Sequence, residues 1–354
     1  MAVYSQQNLD TIYGNPKSVR EKVEFLNENK QNYVFMRGDG DYGHATVFAP
    51  KGIKSRFYLY WYNYHWVFYV NYYKEFLENG LPKNETWYNK DGSFERGYKY
   101  TYDENNNLIE EKEFYYNNEF WLTKFHYNNF NKPIAMSYYF SGEPNDFVHW
   151  YFIRNKNNKI IETRIIDEEG DRPSIVYDLN HQGYVVKKSR KYIPNLRDLE
   201  NKKLNFLDSL NTLHEYGYDK RGNKILELNY FEEEGSVYSK KTYKYNELNK
   251  LITYKVFFRP SDSTKFRITN YRYNENGLKV FQEKRSSVDK SFYSSQETFY
   301  NKSGFIVKSI LLENNNTTTI AFKYKFDKKG NWIKITKIVN DEPLYVWSRK
   351  IKYY

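Results

Sequence analysis

The sequence predicts an all-β protein, an antiparallel meander of about nine β-hairpin repeats curled into a barrel, a sandwich or a superhelical sheet. Three observations lead to this. Aromatic residues make up 20% of the chain, with 39 Tyr against 7 Trp, and such side chains favour strands. A motif with a period of about 26 residues recurs from residue 100 to residue 333, the mark of a repeat architecture. Each copy places Gly or Asn at the same point, and these two residue types enter the left-handed backbone region most readily.

Position zero of the motif is Tyr102, Tyr127, Ile153, Leu179, Tyr218, Tyr245, Tyr273, Tyr300 and Phe326. Two residues earlier stand aromatic side chains such as Tyr100, Phe125, Tyr243 and Tyr324, with Thr298 the exception. One residue later come mostly Asp or Asn, whose side chains bond the backbone two residues on and start a turn. Position +4 is Asn106, Asn131, Asn157, Gly183, Gly222, Asn249, Gly277, Gly304 and Gly330, and position +7 is Ile or Val in every copy. A four-residue loop over +1 to +4 would pair position 0 with +5 and −2 with +7, putting the aromatic and β-branched side chains on one apolar face. The other face, read from Thr101, Lys244, Arg272 and Lys325, would be mostly wet. Beyond +9 the alternation drifts, as a bulge or a crossing between layers would cause.

Residues 98–354 thus form the repeat region. The gap of 39 between Leu179 and Tyr218 holds a stretch whose leucine spacing predicts a helical insert near 193–210. Residues 1–97 read as an N-terminal β cap with degenerate short hairpins, FLENGLPK and WYNKDGSF, since repeat arrays need atypical ends. Within the cap, residues 58–73 alternate as one strand, with Tyr58, Tyr60, Tyr62, Tyr64, Trp66 and Phe68 on one side and Leu59, Trp61, Val67 and Tyr69 on the other.

The segments YKYTYDENNNLI, HEYGYDKRGNKI and YRYNENGLKV resemble the tyrosine–aspartate (YD, Rhs-type) repeats of bacterial proteins. The resemblance covers most of residues 98–335 and implies kinship at the level of the hairpin fold; members of that family form β-sheet shells, for which this chain is too short. It departs from that family in its period, in using Asn for many glycines and in lacking a toxin-like C-terminal region, so toxin delivery is not implied.

Lys and Arg total 55 and Asp and Glu 44, a net charge of +11. Cut at residue 150, the first part holds 16 basic and 19 acidic residues and the second 39 and 25, which suits an anionic partner for the second part or simply lysines that keep sheet faces soluble. There are no cysteines, hence no disulfide framework or thiolate chemistry. No apolar run reaches the roughly 20 residues a transmembrane helix needs. The opening MAVYSQQ lacks the basic and apolar regions of a signal peptide. Its Ser-Gln-Gln matches the remnant of a cleaved export signal, so a periplasmic or surface location is favoured over a cytoplasmic one.

Catalytic constellations are missing from the sequence: the six histidines form no zinc-binding pair, and no nucleophile elbow, phosphate loop or dinucleotide fingerprint occurs. GDGDYGH, with Asp39, Asp41 and His44, lacks the spacing of a calcium loop and reads as a polar loop, so neither a metal nor a cofactor is expected. Paired carboxylates for glycosidic hydrolysis, the remote alternative of a hydrolase on a β scaffold, could come from Glu110, Glu111 and Glu113 or from the acidic run at 232–234; as strand and tip charges these keep a meander soluble. The reading is therefore a non-catalytic binding protein with a protein partner, an immunity or cell-envelope factor. Its alternative is a carbohydrate-binding module using exposed Tyr60, Trp61, Tyr62, Tyr64, Trp66 and Trp87. Nucleic acid is disfavoured, since no RNP-like motif accompanies the aromatic and basic residues.

Overall fold

The structure, a computed structural model, describes residues 11–27, 50–67, 69–115, 119–143, 146–191, 210–232 and 234–354, with only the backbone for 50–56. The helical insert expected near 193–210 falls outside the described residues up to its last position, as does the polar loop at 38–44. The elements begin with β1 (Pro16–Phe25), α1 (Pro50–Asn63), β2 (Asn71–Phe76), β3 (Pro82–Tyr88), β4 (Phe94–Tyr102) and β5 (Leu108–Phe114). There follow β6 (Phe120–Tyr127), β7 (Pro133–Phe140), β8 (Phe147–Arg154), β9 (Ile160–Asp167), β10 (Gly170–Leu179) and β11 (Val185–Lys191). Next come β12 (Leu210–Tyr218), β13 (Lys224–Tyr230), β14 (Val237–Tyr245), β15 (Leu251–Phe257), β16 (Phe266–Tyr273) and β17 (Lys279–Ser286). The last are β18 (Tyr293–Tyr300), β19 (Ile306–Glu313), β20 (Asn316–Phe326), β21 (Trp332–Val339) and β22 (Glu342–Tyr353).

From β2 onward each strand pairs antiparallel with the next, and β1 lies between β2 and β22. The meander therefore closes into a 22-stranded barrel. Of the three closures the sequence left open, the barrel is the one that removes sheet edges altogether. The closing register is fixed by a buried ion pair: Glu21 lies directly opposite Arg349, which donates to it from Nε at 2.8 Å and lies 2.7 Å away through Nη2. Trp347 Nε1 donates to the same carboxylate at 3.0 Å, and the Arg349 guanidinium sits 3.7 Å over the Trp332 ring. Slipping the pairing by one residue would turn these side chains to the opposite face.

The hairpins end on a tighter turn than the sequence reading supposed. In the turn after Tyr102 the Asn106 N–H donates to the Asp103 carbonyl and the Asp103 N–H to the Asn107 carbonyl, so the loop has three residues and its last one is left-handed, with φ of 62° at Asn106. This is a type I turn closed by a residue in the left-handed region. Position 0 then pairs with +6, as Tyr102 does with Leu108, and −2 with +9, as Tyr100 does with Glu111. The β-branched residue at +7 is the extra residue of a bulge, and that bulge shifts the alternation. In the third copy the turn bonds run from Asn155 to Asn158 and Lys159, so its anchor is Arg154 rather than Ile153 and its left-handed residue Asn158 rather than Asn157.

The densest packing lies where the ends of the barrel meet. Val23, Tyr72, Trp87, Tyr98, Ile320, Phe322, Trp332, Ile335 and Trp347 form one buried cluster with Phe57, Trp61 and Tyr62 of α1. The strand expected over 58–73 is thus corrected: residues up to Asn63 are helical and β2 starts only at Asn71. Aromatic residues at nearly every position satisfy a period of 2 and a period of 3.6 equally well, and burial of Phe57 and Trp61, four apart, selects the helix. Elsewhere, as in β5 and β15, the side chains of both faces are half-buried, so the expected single apolar face does not form a continuous core.

Candidate functional site

The motif residues are consumed by the fold. At the tight rim, the Asx residue at +1 accepts two backbone N–H groups; Asp103 accepts those of Asn105 and Asn107 at 3.0 and 2.8 Å. The Asn107 amide, with those N–H groups, holds the Asp103 carboxyl below its ordinary range, and Asn223 does the same for Asp219. Side by side, neighbouring turns are joined, as where Asn107 Nδ2 donates to Asn131 Oδ1 at 3.1 Å and Asn223 Nδ2 to Asn249 Oδ1 at 3.0 Å.

The tyrosine at position 0 has its own task. Between successive hairpins the ladder stops short of the turns, and the carbonyl at +6 faces outward with no strand partner. The tyrosine hydroxyl of the next repeat donates to it: Tyr127 to Leu108 at 2.9 Å, Tyr245 to Lys224 at 3.1 Å, Tyr273 to Leu251 at 2.8 Å and Tyr300 to Lys279 at 2.9 Å. Where Arg154 replaces the tyrosine, its Nε and Nη2 reach the Pro133 carbonyl at 3.1 and 2.9 Å. Where Phe326 replaces it, Tyr324 two residues earlier donates to Ile306 at 2.8 Å. Burial lifts the hydroxyls of Tyr102 and Tyr300 to about 12, so they stay protonated donors.

Of the six aromatic residues singled out as ligand contacts, Trp61, Tyr62 and Trp87 are buried, each at 1% exposure or less. Trp61 packs on Trp347 and Tyr62 on Phe322, while Trp87 donates to Glu85 at 2.7 Å. Tyr60, Tyr64 and Trp66 are half-buried and lie against one another, with ring centroids 4.6 Å apart for Tyr60 and Tyr64 and 4.3 Å for Tyr60 and Trp66. Beneath them Lys337 Nζ donates to the carbonyls of Tyr60, Tyr64 and Trp66 at 3.3, 2.6 and 3.4 Å. This amine, pushed down by burial, supplies donors at the C-terminal end of α1, where helix carbonyls lack the N–H of a following turn.

The acidic candidates are partly engaged. Glu113 accepts from Tyr98 at 3.0 Å and Tyr115 at 3.1 Å and pairs with Arg96 at 2.8 Å. Glu111 faces the same side two residues away, and Glu110 the other. Among the described residues no group of three or more His, Asp or Glu could hold a metal ion, and no helix is long and apolar enough to cross a membrane.

The basic excess of the second part falls equally on β14 to β18 and on β19 to β22, since residues 301–354 hold 11 Lys and Arg against 4 Asp and Glu. Residues 237–300 hold 13 Lys and Arg against 6 Asp and Glu. On the face opposite the tyrosines, cations lie over rings: Lys240 over Phe257 at 5.2 Å, Lys255 over Phe266 at 4.2 Å, Arg272 over Phe281 at 4.0 Å and Arg285 over Tyr293 at 5.4 Å. The register makes these neighbours, since Lys240 pairs with Phe257, Phe257 with Phe266, Arg272 with Phe281 and Arg285 with Tyr293. Two grooves open at the ends of the same strands. One, of about 990 Å³, runs between the turns after Tyr273 and Tyr300 and is lined by Arg272, Phe281, Glu297 and the exposed Phe299. The other, of about 350 Å³, lies at the irregular rim among Phe258, Arg259, Lys265, Arg267, Val288 and Phe292, with Phe258 and Val288 exposed. A legible signal existed at one place: Lys255 stands two residues before Phe257, on the same face of the strand.

No family model matches the chain, and no curated protein does. Among similar solved structures are the crystal structure of TcdB2-TccC3-Cdc42, with a TM-score of 0.43 and 12% identity over 78% of this chain, and that of TcdB2-TccC3-TEV, at 0.41 and 13% over 78%. This chain spans 16% of the length of each. A porin-like protein from Bacteroides uniformis ATCC 8492 covers 95% of this chain and 96% of its own, with a TM-score of 0.27 and 9% identity. Likeness at this distance says nothing about activity.

Proposed function

We propose that the chain is a non-catalytic interaction protein of YD-like architecture, about nine hairpins of about 26 residues behind an N-terminal cap, that recognises a protein partner, for instance as an immunity or cell-envelope factor. The observation that supports it most is the division of labour in the barrel. Turn Asx residues, left-handed Asn and Gly, and anchor tyrosines are spent on turns and on carbonyls of neighbouring hairpins. What is left for recognition is the irregular rim and the ring-backed cations of β14 to β18, the mixture of Arg and aromatic side chains that concentrates binding energy at protein interfaces. The glycan alternative retains Tyr60, Tyr64 and Trp66, but these rings cover one another instead of offering an open stacking face.

The test replaces the rim loops 259–264 and 287–291 by Gly-Ser segments of equal length and titrates each form with a partner captured and purified from the native host. The expected result is saturable binding by the natural chain and loss of it in the loop variant. Absence of any saturable partner would count against the proposal.

A further inference from the structure

Three features narrow the chemistry of the partner, and this inference rests on the interaction reading above. First, the barrel is closed, with β1 paired on both sides. A partner cannot add a strand to an open edge, so it must be read by side chains on a face or a rim. Second, the cations opposite the tyrosines are held in place before any partner arrives. Lys255 and Arg272 lie 4.2 and 4.0 Å from ring centroids, which limits the rotamer freedom that binding would otherwise cost and desolvates one side of each cation. Third, the row from Lys240 through Phe257 and Phe266 to Arg285 and Tyr293 crosses five strands, about 19 Å at the usual strand spacing, the reach of about six extended residues.

The sign of this face calls for an anion, but not for a continuous one. Glu283 and Glu297 stand on the same face among the cations: Glu283 pairs with Arg285 at 2.9 Å, and Glu297 lies directly opposite Phe281. A sugar–phosphate backbone carries a charge at every nucleotide and would run over these carboxylates. A polypeptide carries its charges one side chain at a time and can set a neutral residue there. Stacking of bases, the other means of holding single strands, needs open ring faces, and here Lys and Arg already cover one side of the rings.

We infer that the face of β14 to β18 opposite the tyrosines binds an extended acidic polypeptide segment whose Asp or Glu side chains are spaced by neutral ones. Lys255, Arg272 and Arg285 receive the carboxylates, and the intervening neutral side chains lie over Glu283 and Glu297.

The experiment measures fluorescence anisotropy of a labelled peptide of alternating Glu and Ser with the full chain at low salt. Oligo-dT and a heparin fragment of equal length serve as competing polyanions. The combined variant Lys255→Glu, Arg272→Glu and Arg285→Glu is compared with Lys325→Glu, Lys350→Glu and Lys352→Glu, which makes the same change of charge on distant exposed positions. The single substitution Arg285→Gln, at a side chain 60% exposed, covers the case in which a triple variant fails to fold. The expected result is peptide binding that weakens about tenfold or more in the first triple variant, falls measurably in Arg285→Gln and is nearly kept in the second triple variant. Tighter binding of oligo-dT or heparin than of the peptide, or equal loss in both triple variants, would overturn the inference. So would failure of all three probes. If a host partner is still captured saturably in that case, the interaction reading stands and only the acidic chemistry falls.

Discussion

At the scale of single residues, the tyrosine that marks each repeat is explained by one hydrogen bond. A phenylalanine would fill the same space; it could not donate to the carbonyl that the sheet leaves open beside the turn. Two of the three exceptions make the same point, because Arg154 brings a donor of its own and Phe326 is relieved by Tyr324, whereas Leu179 carries no hydroxyl. Removing a single hydroxyl should therefore have a modest and local cost. We expect Tyr273→Phe to destabilise the chain by about 1 kcal/mol, the usual net value of one hydrogen bond. Tyr151→Phe, at a side chain 42% exposed, should stay within about 0.5 kcal/mol of the natural protein. Urea unfolding of the two variants side by side decides this, and equal midpoints would show that the hydroxyl at position 0 is spectator rather than support.

At the scale of elements, α1 is the one helix among the described residues, and its end is held by a lysine from another part of the chain. Lys337 stands on β21, some 270 residues from the carbonyls it caps, and lies 5.5 Å from the Trp61 ring centroid. Lys337→Met keeps most of the volume but leaves buried carbonyls without a donor. We expect a loss of about 2–4 kcal/mol, accompanied by faster amide hydrogen exchange in residues 57–63; unchanged exchange there would mean that the helix does not depend on this cap. This element also shows where sequence reasoning stopped. The turns were legible, because a left-handed position leaves a narrow choice of residues and each hairpin writes that choice into the chain. The loop length was misjudged by one residue, since Asx at +1 and Gly at +4 are compatible with a four-residue loop and with the three-residue turn and bulge that form. The helix was not legible at all. Its side chains are aromatic on every side, and only the docking of Trp61 and Tyr62 on Trp347 and Phe322 distinguishes it from a strand. The basic face was visible as composition but not as a place, because pairing Lys240 with Phe257 needs the register.

At the scale of the whole molecule, closure decides what the barrel can do. A meander of this kind with free ends would present two unpaired edges and invite association with further copies. Here the first strand is laid between the second and the last, its Glu21 locked to Arg349, and the hydrophobic cluster with α1 sits behind that seam. Closure is also what directs recognition to side chains, both in the interaction reading and in the choice of an acidic segment for the face of β14 to β18. It rests on contacts between residues more than 300 positions apart, for which the repeat pattern gives no sign, so the sequence alone left barrel, sandwich and superhelix level.

The measurement that bears most directly on closure uses the natural absence of cysteine. Lys22 on β1 and Ser348 on β22 are cross-strand partners, and the double variant Lys22→Cys and Ser348→Cys introduces the only two thiols. Mild oxidation of the dilute protein should give an intramolecular disulfide, seen as a monomer of altered mobility on non-reducing gels and confirmed by mass of the linked peptides. Free thiols after oxidation, or disulfide-linked dimers in place of the linked monomer, would contradict the closed barrel.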